Sequence, residues 1–167
     1  RFGNTNSAAS LDGVDDYISV ADAGGFTSFQ PNTSYSIGLW IKATGIDAIN
    51  GASITEHYPD DGSGPYAWAL RLNPAAVDGI SNRLEFLVYD VSANPIVTVQ
   101  RNFVDNLWHH IVAVRDRKNL KLKIYVDGVF AAETADTTTT TLFDSNGFTI
   151  GKRWASGGPF FNGIIDE

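Results

Sequence analysis

The chain contains no cysteine and no methionine. Lacking thiols, it has no cysteine nucleophile, no thiolate-bound zinc and no disulfide, so its 167 residues must be held by their core alone. That length supports one domain with a two-layer core. The missing methionine, with Arg1 in first place, is what a piece of a longer or processed chain would show. Long apolar runs are missing as well. None approaches the ~18 residues a membrane span needs, no signal peptide is evident, and membrane insertion is not expected. Basic residues are in the minority: a net charge of −7 and a pI near 4.8 argue against nucleic acid or an anionic membrane as the main partner. No segment has helical periodicity, and the G-x-S-x-G, phosphate-loop, Rossmann and H-E-x-x-H patterns are absent.

What is present is alternation. Residues 34–42, SYSIGLWIK, set Tyr35, Ile37, Leu39 and Ile41 against Ser36, Gly38, Trp40 and Lys42, the period of a strand with one buried face. The stretch 107–130, LWHHIVAVRDRKNLKLKIYVDGVF, is the most fully specified. Its first part, 107–114, is apolar or aromatic on both alternating faces and reads as a central strand covered on both sides. After a polar break, Leu120, Leu122, Ile124 and Val126 alternate with Lys121, Lys123 and Tyr125. Asp127-Gly128 then links to the next strand as a two-residue type I′ turn, since both residues tolerate positive φ. Residues 7–11 and 16–20, joined through Asp12-Gly13, are expected to pair as a small N-terminal hairpin.

Further strands are expected near 52–56, 66–72, 83–89, 96–101, 148–152 and 161–166, and the threonine run 137–141 as a β-prone edge or loop. Short strands at this spacing, with Asp-Gly and Asn-Gly between them, indicate an all-β, two-sheet antiparallel β-sandwich or jelly roll. Trp40, Trp108, Ile111, Val112, Val114, Leu122, Ile124 and Ile150 are expected to be largely buried.

Six blocks taken in order, LDGVDDYISV (11–20), SYSIGLWIKA (34–43), LWHHIVAVRD (107–116), LKIYVDG (122–128), FTIGKR (148–153) and FNGIIDE (161–167), resemble the signature blocks of a laminin G-like domain. The resemblance is to the bacterial type with the concanavalin A-like jelly-roll fold, and it covers the chain nearly end to end. It implies two packed sheets, one concave, in a secreted or cell-surface multidomain protein that degrades or adheres to glycans. It implies that His109 and His110 lie inside the sandwich. It further implies a structural calcium ion joining the N-terminal hairpin to the last strand, held by Asp166, Asp12 and the Gly13 carbonyl. Without metal, Asp12 would set an Asx turn and Asp166 would accept backbone hydrogen bonds. Domains of this type usually continue past the IDE block with another strand, whereas this sequence ends at Glu167.

Each candidate for chemistry has a competing reading. Adjacent strand residues point to opposite faces, so only one of His109 and His110 can enter a given site, and both are read as packing first, as is Trp40. Glycoside hydrolysis needs two carboxylates a few ångströms apart. Concanavalin A-like glucanases place theirs in an E-x-D-x-E or E-x-D-x-x-E run, and Glu56, Glu85, Glu133 and Glu167 form none. A hydrolase or lyase reading therefore rests on Glu56 and Glu85 meeting across adjacent strands, with His57 nearby.

Two loops suit binding better. HYPDDGSGPY (57–66) and KRWASGGPFF (152–161) combine aromatic rings, charged groups and glycine, matching a sugar's apolar C–H face and hydroxyl rim. Tyr58, Tyr66, Trp68 and Trp154 are the candidate platforms, with Arg71, Arg153, Asp60 and Asp61 as hydrogen-bonding partners. The ligand site is placed on Tyr58, Asp60, Asp61, Tyr66, Arg153 and Trp154. The function expected is a non-catalytic carbohydrate-binding or adhesion module of a larger extracellular protein, whose partners are a glycan or polysaccharide and the neighbouring domains. The alternatives are a glycoside hydrolase or polysaccharide lyase domain and a structural or protein-interaction domain.

Overall fold

The computed structural model describes residues 8–21, 32–57, 67–74, 82–140, 147–153 and 158–167. Among them occur β1 (Ala9–Asp12), β2 (Ile18–Val20), β3 (Tyr35–Gly45), β4 (Ala52–His57), β5 (Trp68–Asn73), β6 (Arg83–Val88), β7 (Ile96–Val99), β8 (His109–Asp116), β9 (Lys121–Val126), β10 (Val129–Ala135), β11 (Phe148–Ile150) and β12 (Asn162–Asp166), and no helix. They form two antiparallel six-stranded sheets, in the orders β1-β12-β3-β8-β9-β10 and β2-β11-β4-β5-β6-β7. The expected all-β sandwich is what the chain adopts.

The core lies between the sheets and follows from the period of two. Leu39, Ile41 and Ala43 of β3, Ile111 and Ala113 of β8, and Leu122 and Ile124 of β9 face Ile54, Leu70, Leu72, Leu84 and Phe86 of the second sheet. Each fully buried large aliphatic or aromatic side chain stabilises the fold by about 1.5–3 kcal/mol. The β8-β9-β10 meander forms as its turns dictate: Asp127 and Gly128 have φ of 53° and 80°, both in the left-handed region that a type I′ turn requires. Gly163 is required for a different reason. At its φ of 149°, a Cβ would stand 2.2 Å from the Lys42 carbonyl oxygen across the β3–β12 pair.

Four expectations are corrected. The N-terminal segments do not pair with each other: β1 joins β12 in the first sheet and β2 joins β11 in the second. The Asp-Gly turn carries the chain across the sandwich edge, because each strand finds an open partner in a different sheet. The stretch from Leu107 is not covered on both sides. Leu107 and Trp108 precede β8 and are exposed, Trp108 by 43%, and β8 alternates buried and half-buried residues because, among the described residues, no second layer covers its outer face. Of the expected core, Ile111, Leu122 and Ile124 are buried, while Trp40, Val112, Val114 and Ile150 are half-buried. On that outer face the side chains shield one another instead, with the Trp40 and His110 rings 4.9 Å apart. Leu120, expected in β9, sits in the preceding turn with a φ of 52° and is exposed.

His109 does enter the sandwich. Its Nδ1 lies 3.0 Å from Asp127 Oδ2 and its Nε2 3.2 Å from Asp105 Oδ2, while the His110 N–H donates to Asp127 Oδ1 at 2.9 Å. The tandem histidines thus tie the β9–β10 turn to the start of β8.

Two buried carboxylates fix the crossover that leaves β10. Asp136 pairs with Arg115 Nε at 2.8 Å and with Arg117 Nη1 at 2.8 Å, and accepts the Thr138 hydroxyl at 2.5 Å. Asp90, in the turn after β6, accepts the N–H groups of Ser92, Ala93, Thr139 and Thr140 and the Ser92 hydroxyl, all between 2.6 and 2.8 Å. The threonine segment is therefore a pinned connector and not an edge strand. Burial alone would raise the Asp90 carboxyl, but the Ser92 hydroxyl and the backbone donors of Thr140, Thr139 and Ser92 outweigh it and hold the group well below the usual carboxylate range.

A folded-state value below the unfolded one means that Asp90 contributes stability above about pH 4 and loses it as pH falls toward the folded value. Asp90→Ala leaves five part-buried donors without their acceptor. It is expected to cost about 3 kcal/mol or more in urea unfolding at pH 7, and that deficit should shrink on acidification. A loss below about 1 kcal/mol would show that water substitutes for the carboxylate.

Candidate functional site

The alternation that builds the core also builds the outer face of the second sheet. On β5, Leu70 and Leu72 point inward, which turns Ala69, Arg71 and Asn73 outward. On β6, Leu84, Phe86 and Val88 point inward, which turns Arg83, Glu85 and Leu87 outward, with Tyr89 following. Strand register then sets Ala69 beside Leu87 and Leu87 beside Ile96, an apolar row across three strands. Next to it runs a polar row of Arg71, Glu85 and Thr98.

A groove of about 220 Å³ lies over these rows. Ala69, Leu87 and Ile96 form its floor, Trp68 stands at one end, and Arg71, Tyr89 and Asn94 supply an aromatic ring and hydrogen-bonding groups. Tyr89 and Asn94 flank the turn that Asp90 organises, and the Tyr89 N–H donates to the Ala67 carbonyl at 3.1 Å. Trp68 is held mainly by the core, its ring 6.0 Å from those of His57 and Phe148. An apolar floor with a few fixed polar groups is the usual make-up of a small-ligand site.

Arg71 is immobilised from below. Its Nε donates to Glu85 Oε2 at 2.9 Å, and the Arg83 Nε donates to Glu85 Oε1 at 2.9 Å. Asn73 Nδ2 adds contacts of 3.1 Å to both carboxylate oxygens. Burial on its own would raise the Glu85 carboxyl, yet Asn73, Arg71 and Arg83 together bring it below the ordinary value.

This bears on the carboxylates considered for hydrolysis. Glu56 and Glu85 share the outer face but stand on β4 and β6 with β5 between them, so two inter-strand spacings, about 10 Å, separate their strands. Glu56 accepts the Ser53 hydroxyl. His57 pairs with Trp68 on the opposite, core-facing side. A glycosidase acid needs a raised carboxyl, whereas Glu85 is shifted the other way.

Of the residues placed in the ligand site from sequence, Tyr58, Asp60, Asp61, Tyr66 and Trp154 lie outside the described residues. Arg153 is described and lies elsewhere: its N–H donates to the Pro159 carbonyl at 3.2 Å and its Nη1 to the Asn50 carbonyl. It borders a second recess of about 400 Å³ at the sandwich edge, lined among others by Asp47, Phe160 and Asn162. Beside that recess Lys152 Nζ sits 4.3 Å over the Tyr17 ring, and Tyr17 lies 6.2 Å from Phe160. Trp68 and Arg71, named from sequence as platform and hydrogen-bonding partner, do reach the groove. Leu87, Tyr89, Asn94 and Ile96 were missed. The period of two on β6 puts Leu87 on the same side as Tyr89, but their meeting Ile96 depends on strand order.

The residues expected to share a calcium ion do not converge. Asp12 pairs with Asn162 at one end of β12 and Asp166 occupies the other, four positions or about 13 Å along the strand. Calcium ligands lie about 2.3–2.6 Å from the ion, so one ion does not bridge them. Asp12 Oδ1 accepts the Val14 N–H at 2.8 Å as an Asx turn, and Asp166 Oδ1 accepts the Glu167 N–H at 3.0 Å. Among the described residues, carboxylate oxygens of Asp12, Asp15 and Asp16 approach one another, all exposed and within 4.8 Å.

Two antiparallel six-stranded sheets packed face to face make this a jelly-roll sandwich. The family model Laminin_G_3, of the concanavalin A-like lectin/glucanases superfamily, matches residues 12–167, and the chain belongs to that family. No curated protein matches it in sequence. Among solved structures it is similar to domain 4 of AbnA, an extracellular GH43 arabinanase from Geobacillus stearothermophilus in complex with arabinotriose: 21% identity, TM-score 0.64, 95% of this chain and 67% of that one. It is similar to the CBM40 of a Ruminococcus gnavus IT-sialidase, at 12% identity and TM-score 0.70 over 96% of this chain and 87% of that one. Domains LG4-5 of the mouse laminin alpha1 chain align at 18% identity and TM-score 0.60, over 95% of this chain and 39% of that one.

Register makes one outcome firm. Asp166→Asn is expected to leave the calcium dependence of the melting temperature as it is in the parent, measured in excess chelator and in millimolar calcium. A calcium response that disappears only in this variant would place the ion at the C-terminal end of β12.

Proposed function

We propose that this domain is a non-catalytic carbohydrate-binding module and that the groove over β5, β6 and β7 receives the glycan. The observation that carries the reading is the groove's make-up: an apolar floor of Ala69, Leu87 and Ile96 beside the Tyr89 ring, with Arg71 and Asn94 as hydrogen-bonding groups. A pyranose or furanose offers an apolar C–H face to such a floor and hydroxyls to its rim. The similar folds include one solved with arabinotriose and one with α2,3-sialyllactose, which supports a saccharide as ligand without naming which. Non-catalytic binding agrees with Glu85 being engaged by two guanidinium groups and with His57 facing away from Glu56.

Tyr58, Asp60, Asp61 and Tyr66 stay in the proposed ligand set on residue type, aromatic faces beside carboxylates. Arg153 belongs to the sandwich edge. A structural calcium ion stays part of the proposal, tested by the parent's melting temperature in excess chelator against millimolar calcium; superimposable curves would remove it. Attachment to a larger secreted protein is part of the proposal.

A glycan array followed by a ¹⁵N-spectrum titration with the best saccharide tests the placement. Asn94 is exposed, and Asn94→Ala is expected to weaken binding several-fold, the value of roughly one hydrogen bond, with an unchanged melting temperature. Tyr89→Ala should weaken it by about tenfold. Shifts confined to Phe160, Asn162 and Asp47 would move the site to the edge recess, and silence across the array would remove the carbohydrate reading.

A further inference from the structure

We infer that the saccharide bound in the groove carries a carboxylate, and that Arg71 receives it. This rests on the groove being the glycan site and adds the charge of its ligand. The chain as a whole carries −7, yet among the described residues lining the groove Arg71 alone is charged. A cation at the ligand surface of an acidic chain is a placement that repels nothing anionic and favours it.

The geometry fits a carboxylate in particular. Arg71 is 19% exposed, and Glu85 beneath it is 3% exposed. Among the described residues, Glu85 engages the Arg71 side chain through Nε alone, which leaves the two terminal nitrogens of the guanidinium for the groove. A planar fork of parallel N–H groups matches a planar carboxylate by two parallel bonds, and an Arg already oriented gives up little rotamer freedom on binding. Two guanidinium groups, those of Arg71 and Arg83, share the one Glu85 carboxylate. Glu56, the other carboxylate on this face, is engaged by Ser53 on the far side of β5. A tetrahedral sulfate or phosphate would call for a second cation around it, and the described lining has none. The apolar floor limits water around the pair, which strengthens it relative to one in bulk solvent.

The test uses the whole domain and paired sugars that differ in charge. Glucuronate, galacturonate and N-acetylneuraminate are titrated against glucose, galactose and N-acetylneuraminate methyl ester, with galactose 6-sulfate as the tetrahedral anion. Binding is read from ¹⁵N spectra that include the Arg71 Nε–H. At least one acid should bind about tenfold or more tightly than its neutral partner, in keeping with a charge-assisted hydrogen bond. The acid should also shift the Arg71 Nε–H, and its advantage should shrink as salt is raised. Arg71→Gln should bring acid and neutral partner to parity, the acid losing more than the neutral sugar. Arg71→Lys, which keeps the charge without the fork, should recover part of the preference.

Equal binding of every acid and its neutral partner overturns the inference, as does acid binding that leaves the Arg71 signal unmoved. Both outcomes are read on the unmutated protein and do not depend on a variant folding. Galactose 6-sulfate binding as tightly as the best acid overturns the assignment to a carboxylate. Neutral sugars held in the groove without preference sink this inference alone, whereas no sugar in the groove sinks the proposed function with it.

Discussion

The crossover after β10 is the constraint on which the rest of the structure depends. The two sheets follow different paths through the sequence, and the sandwich closes only where the chain passes from one to the other. At that passage Asp136 is gripped by the fully buried Arg115 of β8, and one turn further on Thr139 and Thr140 give their N–H groups to Asp90 of the second sheet. A charge inside a protein is tolerable only when it is paired and hydrogen-bonded, and both carboxylates meet that condition. The Asp90 turn has a second consequence. It sits between Tyr89 and Asn94, so the network that fastens the sheets together also sets the position of two groove residues.

How much of this was legible in the sequence depended on how far apart the interacting residues lie. The β8-β9-β10 meander was readable because its turns are local: Asp127-Gly128 carries the φ values of its turn in its own composition. The same dipeptide type at Asp12-Gly13 misled. A turn signal fixes where the chain bends but not which strands then pair, and β1 finds its partner near the other end of the chain, Ala9 opposite Ile165. Trp108 misled for another reason. Apolarity on both faces of 107–114 suggested double cover, but Leu107 and Trp108 lie before the strand, and Val112 is sheltered by its cross-strand neighbours, not by a further layer.

The site was half legible for the same reason. Arg71 and Trp68 stood out by residue type. Leu87 and Ile96 are ordinary strand residues that become a floor only because β6 lies between β5 and β7, and strand order is a property of long-range pairing that no short window contains. Asp12 and Asp166 illustrate the converse error. Their blocks are adjacent in the fold, as the resemblance implied, but antiparallel register puts the two carboxylates at opposite ends of the shared ladder.

The two outer faces of the sandwich are built on different chemistry, and the difference bears on function. On the first sheet the exposed side is covered by self-packing pairs such as Tyr125 and Phe130, 5.7 Å apart, and Lys123 with Asp116 at 2.7 Å. Such solvent-facing pairs contribute little. On the second sheet Glu85 is buried between two arginines, an arrangement that stability alone does not call for, since well-packed apolar residues of similar volume often serve as well or better. What the charged arrangement does, and an apolar one would not, is hold a guanidinium at a fixed angle at the edge of an apolar floor. Glu85 also keeps that guanidinium from folding back, because its own carboxyl is held below the usual range and so remains ionised throughout the neutral range. The desolvation cost of the cluster is thus coupled to a polar group that is oriented before any ligand arrives, which is the condition under which a small groove binds without first paying to order itself.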